Sequence, residues 1–189
     1  MTVAILVSAG LDDLLKVDGK AELISRRIMP IMTTGYWPGK IAFRISMALA
    51  AWVDATGEGE VIADNVCYAF DEPLPSGRQS FSPDSSIYFG DVDAESMTFI
   101  DGYPAFAVEV RSESDYGRAA ERDMAAKRAD YLVAGTIVVW DVDPVAKTVA
   151  KYTADSLEVP VVFGRGQDAD AEPALPAWRL SLDKLFSVK

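Results

Sequence analysis

One short segment, residues 106–112, constrains the fold of this chain more than any other. Four of the first five residues of its sequence FAVEVRS are apolar, which is typical of a buried β-strand, yet a glutamate stands at the centre of the segment. Because successive side chains of a strand point to opposite faces, residues 106, 108 and 110 share one face, and Glu109 and Arg111 share the other. An ionised carboxylate is costly to bury unless a cation, hydrogen bonds or a metal ion offset the cost. The segment therefore predicts a polar or metal-binding site on a buried strand.

The length of the chain suits a single domain. It has 189 residues, of which 50% are hydrophobic, so it can bury a substantial core without disulfides. We expect one domain over residues 1–189. The only cysteine, Cys67, lies in an apolar run and cannot form an internal disulfide, which favours a cytoplasmic protein.

The hydropathy pattern argues against a membrane partner. No stretch approaches about 20 uninterrupted apolar residues, the length that a membrane-spanning helix needs. The apolar start of the chain, residues 1–9, lacks a basic segment and is soon followed by Asp12 and Asp13. We therefore expect neither a signal peptide nor an anchor.

Charge and histidine content exclude several function classes. The chain contains no histidine, which excludes Ser-His-Asp and Cys-His catalysis and histidine-ligated zinc. The formal net charge of -11 counts against nonspecific adhesion to nucleic acid or anionic membranes. Local cations or bound divalent ions can still reverse the field at one surface. Any chemistry must rest on carboxylates, Lys, Tyr, Ser or a hard metal ion.

The order of the predicted elements favours an α/β fold. Apolar residues recur at helical spacing over residues 40–55, and a second helix is predicted over 115–133, ending at Gly135. This second helix lies between the strand at 106–112 and another apolar strand at 136–142. Together with the hairpin-like strands that precede it, this succession predicts a mixed central sheet flanked by helices.

A second carboxylate accompanies Glu109. Asp84 follows Pro83 directly before a predicted strand, so the two acids converge if their strands are neighbours. Hard oxygen ligands suit Mg²⁺ or Mn²⁺, with water and a substrate phosphate completing the coordination. Such an ion activates water and stabilises charge on a phosphate that is being cleaved. The alternatives are structural: Asp84 caps a turn, and Glu109 pairs with Arg111 or another cation.

A lysine of the second predicted helix is also a site candidate. Five residues at steps of three or four form one helical stripe: Ala120, Met124, Lys127, Tyr131 and Ala134. The lysine therefore falls on the apolar side of the helix. Either its ammonium enters the site, or its stem packs on the sheet while the ammonium reaches solvent. Tyr131 is interpreted as a core residue.

Several motifs together resemble a known protein family. They are Pro83-Asp84, the strand Val108–Ser112, the helical run Lys127–Gly135, and the segment Val139–Pro144. In their order and spacing, the chain resembles the Uma-type (DUF820-like) family of restriction endonucleases, which belongs to the PD-(D/E)XK nuclease superfamily. The similarity covers most of the chain, and Ala21–Ile24 resembles the early acidic motif of the family.

The resemblance implies a restriction-endonuclease-like fold and a set of site residues. It makes Asp84 and Glu109 metal ligands and Glu22 a third acidic member of the site. The lysine of the superfamily usually stands two residues after the strand acid, where this chain has Arg111. Arginine cannot act as a general base, but it can clamp a phosphate. The resemblance makes Lys127 the substitute lysine, arriving from the following helix.

Two functions are therefore in competition. The first is a Mg²⁺-dependent (or Mn²⁺-dependent) endonuclease that hydrolyses DNA phosphodiester bonds; RNA or a small phosphorylated compound is a further substrate option. The second is a noncatalytic binding domain that keeps the nuclease fold. It is favoured by the net acidity, by Arg111 at the lysine position and by a missing histidine. The resemblance also implies a homodimer, which would allow two cuts across a duplex.

Overall fold

Four α-helices and thirteen β-strands make up the regular structure of the described residues. A computed structural model describes residues 8–93 and 95–188. The apolar segment 1–9, for which we expect no signal peptide, lies mostly outside the described residues. The helices are α1 (Leu11–Leu14), α2 (Tyr36–Thr56), α3 (Arg118–Ala134) and α4 (Leu182–Leu185). The strands are β1 (Ala21–Ile24), β2 (Arg27–Pro30), β3 (Glu60–Ala63), β4 (Tyr68–Ala69), β5 (Ser80–Phe81), β6 (Ser85–Tyr88), β7 (Ile100–Asp101), β8 (Phe106–Val110), β9 (Val138–Asp143), β10 (Thr148–Tyr152), β11 (Val161–Phe163), β12 (Asp168–Asp170) and β13 (Arg179–Ser181). None of the described helices is both long and apolar enough to cross a membrane.

A six-stranded mixed sheet forms the centre of the fold. Its strand order is β11-β10-β9-β8-β6-β3. Strands β8 and β9 run parallel, and every other neighbouring pair in this sheet is antiparallel. Parallel neighbours need a crossover connection, and α3 provides it between β8 and β9. The predicted α/β fold with a mixed central sheet is confirmed.

Strand β8 separates two layers of the core. On one face, its residues 106, 108 and 110 pack against α2 and α4. On the other face, Ala107 packs with Val139 of β9 and with Tyr131 of α3. The alternation predicted from the sequence is confirmed, and it places Glu109 on the side of the sheet that α3 covers.

Helix α2 begins earlier than the sequence pattern predicts. It starts at Tyr36 rather than at residue 40, so Pro38 and Gly39 lie in its first turn. Proline is tolerated there because the N–H groups of a first helical turn have no intrahelical partner. The fully buried Ile41 and Ile45 then follow one turn apart, which fixes the face that packs on the sheet.

The hairpin of β1 and β2 is attached to the segment that leads into β6. The backbone N–H of Leu23 donates to Ser80 Oγ at 2.7 Å, and the backbone N–H of Ser25 donates to the carbonyl of Gly77 at 2.7 Å. An isolated bridge also joins Ile24 to Arg78. These bonds bring the hairpin next to the strands that carry Asp84 and Glu109.

Candidate active site

Asp84 directly precedes β6, and Glu109 lies on β8, the neighbour of β6 in the central sheet. Strand β6 pairs with β8 so that Ser85 lies opposite Val108. The backbone N–H of Asp84 donates to the carbonyl of Val108 at 3.0 Å, and Asp84 Oδ2 accepts the N–H of Val110 at 2.7 Å. The carboxylate of Asp84 is therefore fixed beside the end of β8, one residue beyond Glu109.

Helix α3 delivers two donors to Glu109. Lys127 Nζ lies 2.9 Å from the Glu109 carboxylate, and the Tyr131 hydroxyl donates to Glu109 Oε1 at 2.7 Å. The two donors are four residues apart, so they lie on one face of the helix. The Lys127 ammonium contacts Glu109 in the cleft, and the lysine side chain is 17% exposed; its role in a site stays a prediction. Tyr131 is a fully buried core residue, as predicted, and it also bonds the site acid.

Glu22, on β1, is the second carboxylate that contacts Lys127. Lys127 Nζ lies 3.0 Å from Glu22 Oε1, which also accepts the backbone N–H of Ser82 at 3.0 Å. The other oxygen, Oε2, accepts a hydrogen bond from Arg78 at 2.5 Å, and Arg78 Nε donates to Asp130 at 2.8 Å. Glu22 is buried, and every one of its contacts is with a donor.

A second lysine lies on the Asp84 side. Lys20 precedes β1, and its Nζ is 3.4 Å from Asp84 Oδ1 and 2.5 Å from Asp64 Oδ1. Ion pairs form two networks here: Lys20 with Asp64 and Asp84, and Arg78 and Lys127 with Glu22, Glu109 and Asp130. We call these eight charged residues together the cleft group. All of them except Asp130 line one cleft of about 710 Å³.

Burial and neighbouring charges shift the pKa values of the cleft group in opposite directions. Burial raises the pKa of Asp84 and of Glu109, although Lys20 and Lys127 oppose that effect. Burial also acts to raise the pKa of Glu22, but Lys127 and Arg78 outweigh it, so this pKa is lowered. Burial alone would lower the pKa of Lys127, yet the Glu109 and Glu22 carboxylates raise it. Lys127 therefore stays protonated at neutral pH. The two lysines do not fully offset the cost of burying the negative charge of Asp84 and Glu109.

The donor chemistry of Asp84 and Glu109 fits a hard divalent cation. Both present carboxylate oxygens to the same cleft, and an added positive charge would offset the burial that raises their pKa. Within the described ranges, no three Asp, Glu, His or Cys side chains form a ready metal cage. Mg²⁺ is commonly bound by only one or two carboxylates plus water and substrate phosphate, so a pair of acids is sufficient.

Arg111 lies in a different cluster from the other predicted site residues. Its guanidinium donates two hydrogen bonds of 2.7 Å to Asp141 of β9, and it also pairs with Glu121. Arg128 of α3 contacts the same two acids, at 2.5 Å and 2.7 Å. We call these four residues the closed group. Arg111 shares a face of the sheet with Glu109, as predicted, but it does not line the described cleft.

Comparison with known proteins identifies the family of this chain. The model of the Uma2 family, described as "Putative restriction endonuclease", matches residues 11–183. The chain belongs to the Uma2 family. Families with a restriction-endonuclease-like fold generally depend on a divalent metal ion.

A solved structure supports the same fold for this Uma2 chain. It is similar to a "putative nuclease belonging to DUF820" from Anabaena variabilis, with a TM-score of 0.72 and 19% sequence identity. The match covers 93% of this chain and 96% of the other. No curated protein has a sequence that matches the chain.

The Uma2 site contains both predicted and unpredicted residues. Of the five site residues expected from the sequence, the structure brings four into one cleft: Glu22, Asp84, Glu109 and Lys127. Sequence reasoning missed Lys20, Arg78 and the hydroxyl of Tyr131. A signal existed for Lys20, because it stands two residues before Glu22 and strand alternation places both side chains on one face. No local pattern connects Arg78 to Glu22, since their contact depends on how the hairpin packs.

Proposed function

We propose that this chain is an endonuclease that hydrolyses DNA phosphodiester bonds with the help of Mg²⁺ or Mn²⁺. One observation carries the proposal. Asp84, directly before β6, and Glu109, on the paired strand β8, line the same cleft, and Lys127 lies 2.9 Å from Glu109. Two carboxylates that can bind a metal ion, beside a lysine that keeps its positive charge, are groups suited to phosphodiester hydrolysis. Membership of the Uma2 family adds support for DNA as the substrate.

In this proposal, Asp84 and Glu109 hold the metal ion. When bound, the ion would lower the pKa of a water molecule and offset negative charge on the phosphate. The bond from Val110 N–H keeps Asp84 oriented towards the cleft, and Tyr131 does the same for Glu109. Glu22 remains a third acidic member of the site. Its three donors fit a role in orienting Lys127 better than direct coordination.

Lys127 would act as a hydrogen-bond donor rather than as a base. Its pKa is raised by Glu109 and Glu22, so the ammonium keeps its proton at neutral pH. From this position it can donate to a phosphate oxygen or to the attacking water. Arg111 is a weaker candidate for a phosphate contact, because Asp141 and Glu121 already occupy its guanidinium.

The noncatalytic alternative also has an observation in its favour. Each carboxylate of the cleft group already has a cationic partner within 3.4 Å, so the site is partly neutralised without a metal ion. A domain that only binds a partner would keep this arrangement and have no measurable affinity for Mn²⁺ at the acidic pair. The proposed homodimer and cytoplasmic location remain part of the proposal and are testable by light scattering and cell fractionation.

The deciding experiment combines metal binding with DNA cleavage. Mn²⁺ is titrated calorimetrically into the wild type and into Asp84→Asn, Glu109→Gln and the double variant, and cleavage of supercoiled plasmid is followed in Mg²⁺ and Mn²⁺. We expect metal binding to weaken in each single variant and to be lost in the double variant. Cleavage should fall at least about 100-fold in both single variants.

A matched control separates loss of the site from loss of charge. Asp101→Asn removes an equally charged acid that is exposed and lies outside the cleft, so it should leave binding and cleavage unchanged. Full cleavage by both single variants would contradict the proposal. A folded wild type that neither binds Mn²⁺ nor cuts DNA would favour the noncatalytic alternative. Parallel assays on RNA and on single-stranded DNA identify the substrate class.

A further inference from the structure

Lys20 is a second cation of the cleft, and neither the resemblance nor the sequence pattern assigns it a role. Its backbone carbonyl accepts the N–H of Ile31 at 2.9 Å, which extends the β1–β2 hairpin by one residue. The side chain is only 13% exposed and lines the cleft. At this position the Lys20 ammonium is partly desolvated, which is costly unless the charge is paired with an anion.

The partners of Lys20 distinguish it from the other cleft cations. Three cations line the cleft in the described part of the chain: Lys20, Arg78 and Lys127. Arg78 is committed to the buried carboxylates of Glu22 and Asp130. Lys127 lies between Glu22 and Glu109, both of which are inside the site.

Lys20, by contrast, has its shortest contact with a residue at the rim of the cleft. Asp64 lies 2.5 Å from its Nζ, and the Asp64 side chain is 40% exposed. The contact to Asp84, at 3.4 Å, is long for a charge-assisted hydrogen bond. An exposed carboxylate can exchange its partner for water at little cost, so an incoming anion can compete for Lys20.

The position of Lys20 also matches a requirement set by the net charge. A chain of net charge -11 repels a nucleic-acid backbone, so its affinity must come from local cations that contact phosphates. Lys127 provides such a cation beside Glu109, and Lys20 provides one beside Asp84. The two lysines lie on different elements, one before β1 and one on α3, on either side of the acidic pair.

We propose that Lys20 binds a backbone phosphate of the nucleic acid on the Asp84 side of the cleft, exchanging its contact with Asp64 for the phosphate. The inference rests on the proposed function, because it assigns a residue to the nucleic-acid substrate of the same cleft. Lys20 then acts together with Lys127, each cation contacting the strand next to one carboxylate. The exchange forms and breaks no covalent bond, and Asp64 takes up water when Lys20 leaves it.

The test measures DNA binding without divalent metal, so that it does not depend on cleavage. A fluorescein-labelled duplex is titrated with wild type, Lys20→Met and Lys20→Arg by fluorescence anisotropy, from about 50 to 200 mM salt. Loss of one phosphate contact should lower the slope of log affinity against log salt by about 0.9. Affinity at the lowest salt should fall about tenfold in Lys20→Met, and Lys20→Arg should retain the wild-type slope.

Lys16→Met is the matched control. It removes the same charge from an exposed lysine that does not line the cleft, so its slope should stay close to that of the wild type. Equal slopes for Lys20→Met and Lys16→Met would overturn the inference, and so would a wild type that binds no duplex at any salt concentration. A wild type that binds DNA but does not cut it would defeat the proposed function alone, because the Lys20 comparison would still be readable.

A second measurement covers the case in which Lys20→Met does not fold. Wild-type protein is treated with an amine-reactive ester, with and without saturating duplex, and the labelled lysines are identified by mass spectrometry. We expect the duplex to protect Lys20 and to leave Lys16 reactive. Equal labelling of Lys20 with and without duplex would show that the lysine serves only its ion pair with Asp64.

Discussion

Glu109, on β8, and Arg111, just beyond the end of that strand, are two residues apart, yet they belong to two charged clusters with different compositions. The cleft group contains five carboxylates and three cations, and it opens into a cleft of about 710 Å³. The closed group contains two carboxylates and two arginines: Asp141, Glu121, Arg111 and Arg128. The first has an excess of negative charge next to solvent, whereas the second is balanced.

Helix α3 divides its charged residues in the same way. Lys127 reaches the cleft group, and its neighbour Arg128 reaches the closed group, because consecutive helical residues point about 100° apart. A balanced, bidentate cluster is suited to hold α3 on the sheet. A cluster with an excess of carboxylates is suited to bind an added cation, including one that also contacts a phosphate. We therefore propose a structural role for the closed group and a chemical role for the cleft group.

The largest expected effect comes from breaking the closed group at Asp141. The Asp141 side chain is 2% exposed and accepts hydrogen bonds from both Arg111 and Arg128. Asp141→Ala leaves two guanidinium groups near a buried site with only the 46% exposed Glu121 as a shared partner. We expect the free energy of unfolding to fall by about 3–5 kcal/mol, measured by urea denaturation at neutral pH.

Glu109→Gln should behave in the opposite way to Asp141→Ala. It removes a carboxylate whose pKa burial raises, so the unfolding free energy should change little while cleavage is lost. The assignment of roles would be contradicted if Asp141→Ala kept full stability, or if it lost cleavage without any change in stability.

The sequence predicted the acidic pair because strand rules are local. The alternation of side chains along a strand placed Glu109 and Arg111 on one face. The position of Asp84, between Pro83 and an earlier predicted strand, placed this acid at the start of that strand. The helical period likewise placed Lys127 towards the sheet. Each of these predictions needed only the pattern of neighbouring residues and one pairing of adjacent strands.

The partners of these residues were beyond such patterns. The contact of Lys20 with Asp84 spans 64 residues, and that of Arg78 with Glu22 spans 56. Both depend on how the β1–β2 hairpin packs against the strands, which periodicity does not specify. Arg111 was expected at the site because its face was known, but its partner was set by the parallel register that places β9 beside β8. Face and neighbour are separate pieces of information.

A smaller effect is expected at Tyr131, which supports the cleft group. Its hydroxyl donates to Glu109 at 2.7 Å, while its ring stacks on Phe81 with the centroids 4.0 Å apart. Tyr131→Phe keeps the ring and removes the donor from a buried carboxylate. We expect the unfolding free energy to fall by about 1–3 kcal/mol, again measured by urea denaturation.

Tyr152→Phe, beside the closed group, provides the matched control. The Arg128 guanidinium lies over the Tyr152 ring, 4.6 Å from its centroid, and the hydroxyl makes no hydrogen bond to the described residues. Loss of this hydroxyl should change stability by less than about 0.5 kcal/mol. Equal losses for the two variants would remove the distinction between a hydroxyl that serves the site acid and one that does not.

The smallest effect is expected at Glu121, the exposed member of the closed group. Its side chain is 46% exposed, so screening by solvent limits its ion pairs with Arg111 and Arg128. Burial acts to raise the pKa of Glu121, but the two arginines outweigh it and lower this pKa. Glu121→Gln should therefore reduce the unfolding free energy by less than about 1 kcal/mol at neutral pH.

The pH dependence of this difference has a definite sign. Because the pKa of Glu121 is lower in the folded state than its ordinary value of about 4.3, the stabilisation is complete above that value. It disappears as the pH falls through the folded pKa, when the carboxylate takes up a proton. Urea denaturation of wild type and Glu121→Gln at several pH values should give curves that converge in acid. A difference that stays constant in acid would mean that Glu121 contributes through packing, and the closed group would then be held by Asp141 alone.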